Sequence, residues 1–229
     1  SKRPDLISES LRIVELPLVD YFGADLTQEY LRPHAILPFT DASGSTIHNL
    51  LPVQSAMLAA IKACNGGLFP VGVGHGKAGA AILAGTALDA ELAIILTTSG
   101  TLTQLRRTFA TWRRFFRVCE NTHILSYDQL STQTGTDLLE RLVAGTPDAR
   151  IVIVGDESHR LKHRDSARTK RLLRFFDGDP ITGAPGHRAV RFVALSGTMT
   201  AKSLHDFSHL ARLALRHLSP VPRDEHDLN

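Results

Sequence analysis

The sequence is poor in cysteine, in aromatic side chains and in long apolar runs, and each shortage removes a class of protein. Only Cys64 and Cys119 occur, and neither sits in a Cys-x-x-Cys pair. Two such thiols give no disulfide framework and read as reduced intracellular cysteines. No apolar run reaches the ~20 residues that a membrane-spanning helix needs. The first residues, Ser1-Lys2-Arg3-Pro4-Asp5, do not begin a secretory signal. A cytoplasmic protein with no membrane partner is expected. Aromatics make up 6% of the chain, with one tryptophan, Trp112. An excess of one charge is also lacking: 26 Lys and Arg stand against 23 Asp and Glu, a formal net charge of +3. That balance permits a polyanionic partner without demanding one.

What is present is ordinary globular material. The 229 residues are 43% apolar, enough for one large domain with a substantial core. Residues 1–49 are weakly patterned, with a short helix expected over residues 6–16 and a loop over residues 41–46. They read as a lead-in segment. Residues 50–218 read as the main domain and residues 219–229 as a tail or linker. Within the main domain, apolar runs at residues 67–71, 92–97, 123–127, 151–154 and 192–195 predict strands. Helical patterns fall between them, at residues 51–63, 80–88, 101–116, 136–144 and 166–176, and a last one spans residues 203–218. The last carries an apolar stripe of Leu204, Phe207, Leu210 and Leu213. Alternation of this kind predicts an α/β fold, a mostly parallel sheet with helices on both faces. Ligands of such sheets bind at the carboxyl ends of the strands.

Two stretches fall on that edge and carry chemistry. The first is Val71-Gly72-Val73-Gly74-His75-Gly76-Lys77-Ala78-Gly79, between a strand and a helix. Glycines let the backbone curl so that several N–H groups point at an anion. The following helix start adds its positive field. Gly74, His75, Gly76, Lys77 and Ala78 would cradle phosphates, with the Lys77 ammonium on the outer ones. Val71 stands where the full Walker pattern has glycine, and Ala78 where it has Ser or Thr. The second stretch is Gly155-Asp156-Glu157-Ser158-His159, at the end of the 151–154 strand. Adjacent carboxylates there need a cation or hydrogen bonds. Asp156 can bind a magnesium ion that bridges nucleotide phosphates. Glu157 can orient and deprotonate an attacking water.

With Ser196-Gly197-Thr198 at the end of the last strand, these stretches resemble the first RecA-like domain of a superfamily-two helicase or translocase. The likeness is to the DEAD/DEAH-type and Swi/Snf-like proteins, including phage-encoded ones, and covers residues 50–218. Gly74-His75-Gly76-Lys77 resembles motif I, Asp156-Glu157-Ser158-His159 a DExH form of motif II, and Ser196-Gly197-Thr198 motif III. Leu51-Pro52-Val53-Gln54 resembles the element whose glutamine reads adenine, a role that falls to Gln54. The resemblance implies a P-loop ATP hydrolase that uses ATP and Mg2+ and binds nucleic acid, DNA before RNA. A phage origin would place it in the host cytoplasm. It implies that Lys77, Asp156 and Glu157 are catalytic, that Asp156 holds the metal, and that His159, Ser196, Gly197 and Thr198 couple nucleotide state to nucleic acid. Residues 97–100 and 126–131 sit where the family contacts nucleic acid. The family's arginine finger belongs to a second RecA-like domain, expected in cis or in trans. A degenerate nucleotide-binding scaffold stays open as the alternative, because Ala78 lacks the metal-binding hydroxyl.

Other residues have plainer readings. His159 with His163, and His205 with His209, have the spacing of zinc ligands on a helix, but no third ligand is apparent. Arginines clustered in residues 106–117 and 160–174 are either solvated helix faces or a joint phosphate-tracking surface. Trp112 reads as core packing.

Overall fold

The computed structural model describes residues 6–146, 148–198 and 204–222. In chain order the elements begin with α1 (Leu6–Val14), α2 (Thr27–Tyr30) and a small hairpin of β1 (Phe39–Thr40) and β2 (Thr46–Ile47). Then come α3 (Pro52–Cys64), β3 (Gly67–Pro70), α4 (Lys77–Ala87), β4 (Leu92–Thr97) and α5 (Ser99–Trp112). Next are β5 (Thr122–Ser126), α6 (Tyr127–Leu130), α7 (Gln133–Ala144), β6 (Ile151–Asp156) and α8 (Ala167–Asp177). β7 (Arg191–Ser196) and α9 (Ser208–Leu215) close the series.

Strands β3 to β7 form one parallel sheet in the order β3-β7-β6-β4-β5. Every residue of β4 and β6 is buried, as parallel strands covered on both faces must be. Alternate side chains feed two cores. Ala93, Ile95, Val152 and Val154 meet α3, α4 and α5 on one face. Leu92, Ile94, Leu96 and Ile153 meet α7, α8 and α9 on the other. Tyr30, Phe39 and Leu50, from the weakly patterned start of the chain, are buried in the first core. Phe39 stacks on Phe115 at 4.0 Å between ring centroids and meets Trp112 edge-on.

The strand register aligns the sheet's carboxyl edge. Pro70 pairs with Ser196, Asp156 with Leu195, Leu96 with Gly155, and Thr97 with Ser126. The ends of all five strands therefore share one rim, and every candidate site residue lies on or beside it.

Two helices differ from the sequence expectation. α5 ends at Trp112, where a helix to residue 116 is expected, because Phe115 and Phe116 turn inward onto Phe39. The expected helix over residues 203–218 is split. Short 3-10 turns, Leu204–Phe207 and Arg216–Leu218, flank α9. Arg216 takes a left-handed φ of 52°, and its guanidinium donates to the carbonyls of Arg188 and Val190. Of the expected stripe, Phe207 and Leu210 are buried and Leu213 packs partly against the second core. The Leu204 and His205 side chains lie outside the described residues.

Candidate functional site

The glycine loop joins β3 to α4. Gly74 and Gly76 have φ of 82° and 77°, left-handed values that glycine adopts without strain. Among the described residues, no backbone N–H of residues 74–78 donates to a protein acceptor. Those amides stand at the start of α4, where the helix dipole favours an anion. Lys77 is 8% exposed. Its Nζ donates to the carbonyls of Val71 and Gly72, each at 3.1 Å, and lies 3.5 Å from Glu157 Oε1. His75 is exposed, with Nδ1 3.0 Å from the Val73 carbonyl. Ala78 is half-buried and brings only a methyl group.

Gln54 is 4% exposed and already engaged at both ends of its amide. Its Oε1 accepts from Leu51 N at 2.8 Å, capping α3, and its Nε2 donates to the Gly76 carbonyl at 2.8 Å. It braces the start of α3 against the glycine loop. Gly79 makes the approach possible. A Cβ there would stand 2.5 Å from Gln54 Nε2 and 2.3 Å from a Trp112 ring carbon.

The second half of the site ends β6. Asp156 is buried, and its Oδ2 accepts from Thr97 Oγ1 at 3.0 Å. Burial pushes the Asp156 carboxyl above its ordinary pKa; the Thr97 hydrogen bond opposes this, Glu157 adds to it, and Lys77 opposes it. Glu157 has a left-handed φ of 56°, strained for a residue with a side chain. That conformation aims its carboxylate at two partners, Lys77 and His159, the latter with Nδ1 3.2 Å from Oε2. His159 Nδ1 also lies 3.2 Å from Ser196 Oγ.

Ser196 and Gly197 close the arrangement. The Ser196 carbonyl accepts from Val71 N at 3.0 Å. A Cβ on Gly197 would come within 3.3 Å of Lys77 Nζ. Thr198 is exposed, and its N–H donates to Ser196 Oγ at 3.3 Å. Thus Lys77, Glu157, His159 and Ser196 form one connected chain across β3, β6 and β7. The five-stranded parallel sheet flanked by helices is consistent with a RecA-like domain.

No protein family and no curated protein matches the chain by sequence. Among solved structures, the Sulfolobus solfataricus SWI2/SNF2 ATPase core in complex with dsDNA matches with a TM-score of 0.45 at 14% identity. That match covers 83% of this chain and 38% of the other. It carries nothing about activity.

The residues expected to touch nucleic acid divide. Thr97 is fully buried under Asp156, so its hydroxyl is spent inside the protein. Ser99 Oγ instead donates to Asp128 Oδ2, and Arg168 approaches Asp128 from α8 at 3.9 Å. The 97–100 and 126–131 stretches therefore meet on one edge. The two arginine clusters do not join: α5 packs on one face of the sheet and α8 on the other. Arg113 pairs with Glu120 and Arg106 donates to the Ile124 carbonyl. Among the described residues no group of three or more His, Cys, Asp or Glu side chains could hold a metal. His209 Nε2 sits 2.8 Å from the Leu161 carbonyl. No helix of the described residues is long and apolar enough to cross a membrane.

Thr97 escaped the sequence reading as a support for Asp156; its only signal is a hydroxyl at the end of a buried strand beside β6. The other missed element is the β1–β2 hairpin. With α5 and the glycine loop it walls a cavity of about 560 Å³ that reaches Asp156 and Glu157.

The burial of Asp156 has a measurable consequence. Its folded-state pKa is raised, so the ionised carboxylate opposes folding, and that penalty is present above the raised pKa. Asp156→Asn keeps an acceptor for Thr97 and removes the charge. We expect it to melt at a higher temperature than wild type at pH 7. The gain should shrink as pH falls through the raised pKa, where the wild-type group protonates and its penalty disappears. Thermal melts of both proteins at pH 7 and at about pH 4, near the ordinary carboxylate range, test this. A variant no more stable than wild type at pH 7 would refute it.

Proposed function

We propose that the chain is the ATP-binding half of a nucleic-acid motor of the helicase or translocase type. The observation that carries this reading is the meeting of the glycine loop and the Asp156–Glu157 pair, with Lys77 Nζ 3.5 Å from Glu157. The unused amides of residues 74–78 would hold the β- and γ-phosphates. Lys77 would leave the Val71 and Gly72 carbonyls for the phosphate oxygens. The donor set also fits magnesium. Two carboxylates against one ammonium leave negative charge in the site, and carboxylate oxygens suit a hard cation. Asp156 would hold the ion, directly or through water, and the ion when bound neutralises phosphate charge. Glu157 would accept a proton as water attacks the γ-phosphorus; the new P–O bond forms, the bridging P–O bond breaks, and ADP leaves. His159 and Ser196 connect Glu157 to the end of β7 and so to Thr198 on the surface.

Nucleic acid belongs on the rim beside the nucleotide. Arg160 and Lys162 are exposed between β6 and α8, the helix whose Arg168 approaches Asp128. Backbone phosphates would neutralise them, with DNA the first candidate. A second RecA-like domain, in cis or in trans, would supply the opposing wall. The chain by itself should therefore turn ATP over slowly and bind nucleic acid weakly. Fluorescence anisotropy with duplex and single-stranded DNA, at two salt concentrations and with or without an ATP analogue, tests the reading. Salt-steep binding that changes with nucleotide supports the motor. Nucleotide binding with no DNA dependence supports the alternative, a nucleotide-binding scaffold.

Ala78 is what favours that alternative. A methyl group cannot ligate magnesium, but another water can take the hydroxyl's place, since magnesium keeps several waters in such sites. We expect Ala78→Thr to tighten Mg-ATP binding by about 1 kcal/mol, the scale of one net polar interaction, and to leave binding in chelator unchanged. Paired titrations read this directly. No change in magnesium would move the scaffold ahead of the motor.

A further inference from the structure

The cavity beside the glycine loop extends away from Lys77, Asp156 and Glu157. On one side it is walled by α5, through Gln104, Thr108 and Trp112, and on the other by His48 and Asn49 after the hairpin. The glutamine expected to read adenine does not serve it freely: Gln54 is buried, with its amide bonded to Leu51 and Gly76. Other polar residues line the same cavity. The Trp112 side chain is 3% exposed, and its Nε1–H has no acceptor among the described residues. An indole N–H can only donate, and leaving it buried and unpaired is costly. The amides of Gln104 and Asn49 make no hydrogen bond within the described residues, and both side chains are exposed.

We infer that this compartment takes the nucleoside of ATP, with the base between α5 and the hairpin segment and with Gln104, not Gln54, as its reader. The inference rests on the phosphate-loop reading, because the phosphates fix which end of the nucleotide enters. The cavity volume of about 560 Å³ lies in the range of small-ligand sites. A carboxamide matches the donor and acceptor of the adenine N6/N7 edge, whereas the guanine O6/N7 edge offers two acceptors and calls for Arg or Lys. The described lining holds no arginine, and its lysine, Lys77, stands at the phosphate end. Adenine is therefore selected over guanine. Trp112 and Phe39, 6.3 Å apart and edge-to-face, make the wall behind it rigid.

Trp112 is the single tryptophan of the chain, so its emission reports from this wall. The test titrates a non-hydrolysable ATP analogue, its GTP counterpart and inorganic tripolyphosphate against the wild-type chain and Gln104→Leu, by calorimetry and by tryptophan fluorescence. The ATP analogue should bind and change Trp112 emission, and tripolyphosphate should bind without changing it. Gln104→Leu should weaken the ATP analogue about 10-fold, the worth of a bidentate base contact, and leave tripolyphosphate alone. The GTP analogue should bind wild type more weakly by a similar factor. Nucleotide binding that leaves Trp112 emission and the Gln104→Leu affinity unchanged would overturn the compartment while sparing the phosphate loop. Failure of tripolyphosphate and nucleotide alike to bind would overturn the phosphate loop, and the compartment with it.

Discussion

Lys77→Ala is expected to lower ATP affinity by roughly 100-fold or more. Two effects act together. A charge-assisted hydrogen bond to phosphate, worth about 1.5–3 kcal/mol, is lost. The ammonium that faces Glu157 at 3.5 Å is lost as well, so Asp156 and Glu157 confront the phosphates with no lysine between them. Fold is not the explanation of such a loss if the melting curve holds. Among the described residues, Lys77 bonds to two loop carbonyls and faces Glu157. Calorimetry with a non-hydrolysable ATP analogue measures the change. Unchanged affinity would remove Lys77 and its loop from the nucleotide site.

Glu157→Gln should separate binding from chemistry. The amide keeps the shape and length of the side chain and leaves an oxygen facing Lys77. It cannot take a proton from water. Turnover should fall by ~10²-fold or more, the usual contribution of a positioned general base, while analogue affinity stays within a few-fold of wild type. The assay belongs on the chain combined with its second domain, where the proposed mechanism is complete. Turnover that survives the change would assign the water to another residue. The strained φ of Glu157 gives a further check: a backbone held at 56° for structural reasons would be relieved by Glu157→Gly, which should stabilise the fold while removing turnover.

The sheet was legible in the sequence because its strands are buried on both faces. Leu92-Ala93-Ile94-Ile95-Leu96 and Ile151-Val152-Ile153-Val154 are continuous apolar runs, and they became β4 and β6. Gly74 and Gly76 were legible as backbone devices because each needs a positive φ. The β1–β2 hairpin was not legible. Its strands are two residues long, too short for any periodicity, and Asp41 organises the turn by accepting from the Ser43 and Ser45 amides. The end of α5 was hidden for a different reason. Residues 113–116 continue a helical pattern and keep helix-type hydrogen bonds to Phe109, Thr111 and Trp112, but the chain turns there as Phe115 and Phe116 pack on Phe39.

Within the site, residue types were readable and partners were not. Asp156 and Glu157 stand out as adjacent acids, yet nothing local says that Thr97, 59 positions away, holds one of them. Only the neighbouring of β4 and β6 brings that pair together. Gln54 carries the same lesson. Its place before the glycine loop is visible in the chain, but the bond to the Gly76 carbonyl depends on how α3 docks, and that docking depends on Gly79.

The central claim is that the glycine loop and the β6 carboxylates form one magnesium-nucleotide site. The most direct measurement is a calorimetric titration of the wild-type chain with a non-hydrolysable ATP analogue, in magnesium and again in chelator. The account predicts saturable binding at a single site, clearly tighter in magnesium. Absence of saturable binding in magnesium, or an affinity that chelator leaves unchanged, would contradict it.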